Sequence, residues 1–187
     1  NSKHGIWHED LPTVLSLIDQ YRFDLVGLHM HIGSGADEMH LRSVCEAMVR
    51  VASRIGRPIR RISTGGGLPI PYRVGDGEAD VEQYFRCWET ACREIAALQG
   101  FSTRLETEPG RYLVGNAGML VAEVRSVKPM GGNHFTLVDA GMNDLVRPAM
   151  YGAHHRISLI PRSDAPRSLV ETVIGGPLCE SGDVFTQ

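Results

Sequence analysis

Three stretches of the chain set reactive side chains among residues that turn the backbone: His29-Met30-His31-Ile32-Gly33-Ser34, Ser63-Thr64-Gly65-Gly66-Gly67-Leu68 and Glu106-Thr107-Glu108-Pro109-Gly110-Arg111. His29 and His31 stand two residues apart, so on a strand they share a face. Such a pair serves either as satisfied core histidines or as half of a divalent-metal site. The second use needs further His or Asp ligands, and the other two stretches offer Gly, Thr, Glu and Arg instead. Three successive glycines open backbone N–H groups to an anion with no side chain in the way, which suits a phosphate; the same run also suits a tight turn. Ser34 is placed to add a hydroxyl to that phosphate. Glu108 and Arg111 read either as an ion pair or as the charged part of a site.

Two later clusters pack charged or nucleophilic residues between helix breakers, as site loops do. One is Asp139-Ala140-Gly141-Met142-Asn143-Asp144, running on to Arg147, Tyr151 and Gly152; the other is Gly176-Pro177-Leu178-Cys179-Glu180-Ser181-Gly182-Asp183. Read singly, each is also a structural turn.

The elements that position these stretches follow an alternation. Before Gly110, an amphipathic helix, a short apolar strand and a Gly-rich polar loop recur three times, the pattern of an α/β protein with parallel strands. The first helix starts near Asp10 as N-cap, with Leu11, Val14, Leu15 and Ile18 at helical spacing, and leads to a strand over 24–30. The second carries Leu41, Val44, Cys45, Met48, Ala52 and Ile55 on one face and stops at Gly56, before a strand over 59–63. The third opens with Asp80 and Gln83 in capping-box spacing, continues through Val81, Tyr84, Phe85, Trp88, Cys92 and Ile95, and leads to a strand over 103–107. Each reactive stretch therefore lies at the carboxyl end of a strand, where parallel sheets and barrels gather their ligand groups. After Gly110, β-rich runs at 119–127, 135–138 and 169–174 are separated by loops without a helical period, which predicts a second, β-rich domain from near 114–118.

With 187 residues, 42% hydrophobic and 22% charged, the chain has the composition of a soluble globular protein with a sizeable core. A net charge of -3, with no basic run longer than Arg60-Arg61, argues against nucleic acid or an anionic membrane as partner. No apolar stretch approaches the roughly 20 residues that span a bilayer. The start at Asn1, without an initiating Met or signal sequence, predicts a cytoplasmic protein and a piece of a longer chain. Cys45, Cys87 and Cys92 fall on apolar faces of the predicted helices and Cys179 in a loop, with no C-x-x-C pair, so no disulfide is expected.

Taken together, H-I-G-S at 31–34, G-G-G at 65–67, E-P-G-R at 108–111, D-A-G-M-N-D-L-x-R-P-A-x-Y-G at 139–152 and C-E-S-G-D at 179–183 resemble, in order and spacing, the diaminopimelate decarboxylase family. Asn1-Ser2-Lys3-His4-Gly5-Ile6 resembles it as well, and the likeness covers essentially the whole chain. The family belongs to the alanine-racemase-like pyridoxal phosphate enzymes. The resemblance implies a (β/α)8 TIM-type barrel followed by a β-domain, in a homodimer with active sites at the interface. Residues 1–114 would then be the later, C-terminal part of the barrel and 115–187 the start of the β-rich domain.

By the same resemblance, pyridoxal 5'-phosphate would be held by His31 on the pyridine ring and by Ser34, Gly66, Gly67 and the Pro109-Gly110-Arg111 stretch on the phosphate side, with Glu108 at the pyridine nitrogen. A carboxylate there keeps the nitrogen protonated and strengthens the electron sink for the carbanion left by departing CO2, whereas an alanine racemase is expected to carry Arg. Cys179 would be the general acid that protonates this carbon, reaching across the dimer interface. Diaminopimelate has both an amine and a carboxylate at its distal end. Arg147, Arg111 and Glu180 would supply the cationic fork and the acceptor, and Tyr151 a hydroxyl. Ornithine decarboxylases resemble C-D rather than C-E in the last motif. The implied reaction is meso-diaminopimelate to L-lysine and CO2, the last step of lysine biosynthesis, with no metal.

The resemblance also puts a Schiff-base lysine upstream of Asn1 and a further tyrosine beyond Gln187. Only Lys3 and Lys128 occur here, neither in a matching motif, so the polypeptide alone is expected to be inactive. Three rivals remain: an ornithine- or arginine-type decarboxylase of the same fold, a metal-dependent barrel hydrolase using His29 and His31, and an inactive regulatory homologue. The retained Cys179, Glu180, Glu108 and Arg111 speak against the last.

Overall fold

A 3-10 turn at His8–Asp10 leads into α1 (Leu11–Gln20), with Pro12 in the first turn, where its missing N–H breaks no helical bond. Asp10 is the N-cap residue, yet its side chain makes no cap bond. It closes the 3-10 turn with φ -82° and ψ 0°, outside the extended conformation that aims a capping carboxylate at the next turn. The computed structural model describes residues 3–33, 38–164 and 168–186; Ser34 lies outside the described residues.

The other two long helices follow the predicted apolar stripes closely. α2 (Glu38–Ile55) buries Leu41, Cys45, Met48, Ala52 and Ile55, and α3 (Val81–Gln99) buries Trp88, Ala91, Cys92 and Ile95. Asp80 accepts a 2.8 Å bond from the Gln83 amide at the start of α3, and Gly100, at φ +79°, ends the helix in a left-handed cap. Val81 and Phe85, placed by periodicity on the apolar face, are instead 43% and 53% exposed.

Three parallel strands, β1 (Gly27–His29), β2 (Arg61–Ser63) and β3 (Arg104–Glu106), form one sheet in chain order. All are shorter than the apolar runs that predict them, although ladder bonds from Arg60 N–H to Val26 O and from Thr64 N–H to Glu106 O extend the pairing beyond the strand ends. His29, Ser63 and Glu106 are in register at the carboxyl edge, so the three strands release their loops at one level. In the core that the sheet shares with α2 and α3, Met48, Ile59, Ile62 and Trp88 are 0% exposed. Burying such a side chain is worth about 1.5–3 kcal/mol. Burial in this core, with Cys87 and Cys92 nearby, pushes the Cys45 thiol up to about 12, so it packs as a small neutral hydrophobe.

The chain divides into two units, Asn1–Ile70 with Glu78–Ala117, and Pro71–Gly77 with Gly118–Gln187. In the second, β4 (Val124–Met130) and β5 (Asn133–Val138) form an antiparallel hairpin, and β6 (Val173–Gly175) pairs with β5 in parallel. Gly131, at φ +65°, makes the turn between them. The run at 119–127 is strand only from Val124, and that at 169–174 only from Val173. Two short helices, α4 (Gly110–Val114) in the first unit and α5 (Arg147–Tyr151) in the second, occupy stretches read from sequence as loops. Five residues are too few for a helical period to register. Among the described residues no helix is long and apolar enough to cross a membrane.

Candidate active site

The three loops leaving β1, β2 and β3 are tied together by hydrogen bonds from backbone amides. Gly65 O accepts the Glu108 amide at 2.9 Å, and the Gly66 amide donates to His31 Nδ1 at 3.1 Å. That bond makes Nδ1 the acceptor and leaves the proton of a neutral ring on Nε2. Ser63 Oγ accepts the Gly65 amide at 3.3 Å and lies 2.9 Å from His29 Nδ1. His29 Nδ1 is in turn 3.7 Å from Glu108 Oε1, with the Glu108 side chain 64% exposed. Arg61 takes the other carboxylate of the third stretch, Glu106, at 3.3 Å.

Each glycine of the 65–67 run is required by what it touches. A Cβ on Gly65 would meet Met30 O at 2.7 Å, one on Gly66 would meet Glu108 O at 2.9 Å, and one on Gly67 would meet Gly33 O at 1.8 Å. Gly67 also has φ +111°, and its N–H has no acceptor among the described residues. The result is a strip of bare backbone flanked by the His31 ring and the Glu108 loop. It fits a phosphate-bearing aromatic cofactor: the strip offers backbone amide, His31 a ring face, and Glu108 a carboxylate. Gly67→Ala forces the 32–33 backbone aside from a left-handed position, at a cost of about 1–3 kcal/mol. The expected outcome is a lowered thermal midpoint, measured by thermal unfolding of the Gly67→Ala and wild-type proteins.

Pro109 is the N-cap of α4, and Gly110 and Arg111 form its first turn, so the whole 108–111 motif follows directly on β3. His31, Gly66, Gly67, Glu108, Pro109, Gly110 and Arg111 thus gather at one edge of the first sheet. Cys179, Glu180, Arg147 and Tyr151 belong to the second unit.

In that unit, Arg147 and Tyr151 are one turn apart on α5, and the guanidinium carbon lies 5.6 Å from the centre of the Tyr151 ring. Arg147 Nε and His155 Nε2 are buried without a hydrogen-bond partner among the described residues. Burial and the adjacent Arg147 charge hold the His155 pKa below its usual value. A cation with an open donor is suited to receive a carboxylate. Cys179 is exposed, and Glu180 Oε1 accepts the Gly182 amide at 3.2 Å.

Sequence reasoning left His29 between alternatives and missed Thr64 and Tyr84. Thr64 is fully buried; it receives the Tyr84 hydroxyl at 2.7 Å and donates to Gly65 O at 3.2 Å, bracing the glycine strip from α3. Its only signal was a polar residue between a strand and three glycines. Among the described residues no three His, Cys, Asp or Glu side chains cluster as metal ligands.

Three parallel strand ends carry a glycine strip, a histidine ring and a carboxylate, and residues 1–115, which hold all of them, match the family described as pyridoxal-dependent decarboxylase, pyridoxal binding domain. The chain belongs to that family. It is 59% identical to the diaminopimelate decarboxylase of Streptomyces coelicolor, over 100% of this chain and 43% of that protein. A crystal structure of a diaminopimelate decarboxylase superimposes with a TM-score of 0.92 at 54% identity, covering 100% of this chain and 45% of that one. The Helicobacter pylori diaminopimelate decarboxylase, solved in complex with L-lysine, gives a TM-score of 0.75 at 28% identity, over 95% of this chain and 44% of that one. The α/β fold is therefore that of diaminopimelate decarboxylase structures, and the chain spans less than half the length of these relatives.

Proposed function

We propose that this chain is part of a pyridoxal-phosphate-dependent carboxy-lyase that converts meso-2,6-diaminopimelate to L-lysine and CO2. The observation that carries the reading is the tie between three strand-end loops, which sets the His31 ring, the glycine strip and Glu108 at one sheet edge. The names of the close relatives support the substrate, and the L-lysine complex of one of them supports the product. In the same reading, residues 1–114 are the later part of a (β/α)8 barrel and 115–187 begin a β-rich domain. The enzyme works as a cytoplasmic homodimer with its sites at the interface.

Bound pyridoxal phosphate supplies the electron sink for the pair left when CO2 departs. His31, its ring oriented by the Gly66 amide, would pack against the pyridine. Gly66, Gly67 and the 109–111 turn would hold the phosphate, with the Ser34 hydroxyl, outside the described residues, joining them by the family resemblance. Glu108 would keep a proton on the pyridine nitrogen, because an adjacent carboxylate stabilises the charged form. Arg147 and Arg111 receive substrate carboxylate, Glu180 accepts from the distal ammonium, and Tyr151 adds a hydroxyl. Cys179 delivers a proton to the carbon that has lost CO2.

The direct test is CO2 release by the complete reading frame, with meso-diaminopimelate, ornithine and arginine supplied separately. Release from meso-diaminopimelate alone is expected. Release from ornithine alone would reject the assignment.

A further inference from the structure

Asp183 is 3% exposed, and no cationic side chain is paired with it among the described residues. Its carboxylate is satisfied by backbone instead. Oδ1 accepts the Met142 amide at 2.6 Å and Oδ2 the Leu178 amide at 2.8 Å. Two loops 41 residues apart in sequence are thereby joined at one side chain. The space for it comes from two glycines. A Cβ on Gly141 would lie 3.0 Å from Oδ2, and one on Gly176 would lie 2.3 Å from it.

The backbone of Asp183 acts on the same turn. Its N–H donates to Glu180 O at 3.0 Å, and its carbonyl accepts the Gly176 amide at 2.9 Å. Cys179 therefore sits between two residues that Asp183 holds, Leu178 through its amide and Glu180 through its carbonyl. Hydrogen bonds to an ionised carboxylate are stronger than neutral ones, and leaving a buried acceptor or donor unmet is costly. Both effects favour one geometry for the turn.

We propose that Asp183 is a positioning residue for the decarboxylase site: it touches neither substrate nor cofactor, and it fixes the Cys179–Glu180 turn against the 141–142 loop. This rests on the reading of Cys179 as proton donor and Glu180 as substrate contact. Asparagine at 183 keeps one acceptor and turns an N–H donor toward one of the two amides, so one arm of the clamp is lost while volume is conserved.

The experiment compares wild type, Asp183→Asn and Gly176→Ala in the complete reading frame. Gly176→Ala leaves the carboxylate in place chemically but drives a methyl into it. In both variants kcat/KM for meso-diaminopimelate is expected to fall about 100-fold, the loss that a displacement of about 1 Å produces. The fall is shared between kcat, through Cys179, and KM, through Glu180, while the half-saturating concentration of pyridoxal phosphate stays unchanged. A second readout needs no turnover: the rate at which iodoacetamide alkylates Cys179, followed by peptide mass, shifts several-fold. Unchanged alkylation and unchanged kcat and KM would overturn the proposal, as would an equal loss of cofactor affinity, which marks general unfolding. If Asp183→Asn does not fold, Gly176→Ala decides alone, and wild-type behaviour there refutes the clamp. A wild type that releases no CO2 from meso-diaminopimelate fails the decarboxylase reading, whereas the alkylation shift still tests Asp183.

Discussion

Replacing Glu108 by alanine in the complete reading frame is expected to slow CO2 release from meso-diaminopimelate by about 100- to 1,000-fold, with pyridoxal phosphate still bound. The loop does not depend on the side chain. Glu108 is held by its main chain, N–H to Gly65 O at 2.9 Å, and its carbonyl accepts the Gly110 amide at 2.8 Å. Alanine keeps both bonds and the contact between Glu108 O and Gly66. What it removes is the carboxylate 3.7 Å from His29 Nδ1 and, in the proposed role, the negative charge that would favour a protonated ring nitrogen. Glu108→Gln separates charge from shape: it preserves volume and one acceptor, and is expected to be nearly as slow as alanine. The pH dependence of the bound cofactor's visible absorbance should shift in both variants, because the ring nitrogen loses its proton more readily. An unaltered rate would refute the electron-sink role of Glu108, whatever the cofactor affinity.

Much of this site was legible because the signals are local. A glycine run after an apolar strand, a histidine two residues past a strand end and a carboxylate before Pro-Gly each announce themselves within six residues. The three parallel strands and the buried faces of α2 and α3 follow from periodicity over ten to twenty residues. Legibility fails where the cause is distant or the element short. α4 and α5 have five residues each, little more than one helical turn, so no apolar position recurs often enough to mark a stripe. Val81 and Phe85 obey the period of α3 yet remain exposed, because a stripe says which side faces inward but not how far the neighbouring elements reach. The Asp183 clamp depends on an amide 41 positions away, and the His29–Ser63 bond spans 34. No spacing rule within a motif encodes either. The glycines carried the hint: Gly141 and Gly176 lie in separate motifs, and only the fold shows that both make room for one carboxylate.

Cys179→Ala is expected to have the other large effect, a fall of about 100- to 10,000-fold in L-lysine formation, the range a positioned general acid contributes. The three remaining cysteines all lie on α2 and α3 of the other unit, with Cys87 partly buried. Cys45 and Cys92 are buried between helices of the other unit, and burial raises the pKa of both, that of Cys45 to about 12. Cys179 is exposed in a turn whose flanking residues are held in place, which suits a group that must give up a proton at one point in space. Losing it should affect the fate of the carbanion more than its formation. CO2 release is then expected to exceed L-lysine yield, as water protonates the wrong carbon in a fraction of turnovers, with activity decaying over time and recovering when pyridoxal phosphate is added. Serine at 179 is expected to rescue little, since a hydroxyl holds its proton far more tightly than a thiol. Comparing CO2 with L-lysine in the same reaction separates this role from a merely structural one: a distorted site lowers both together, whereas a missing acid uncouples them. Equal CO2 and L-lysine at the wild-type rate would remove Cys179 from proton transfer.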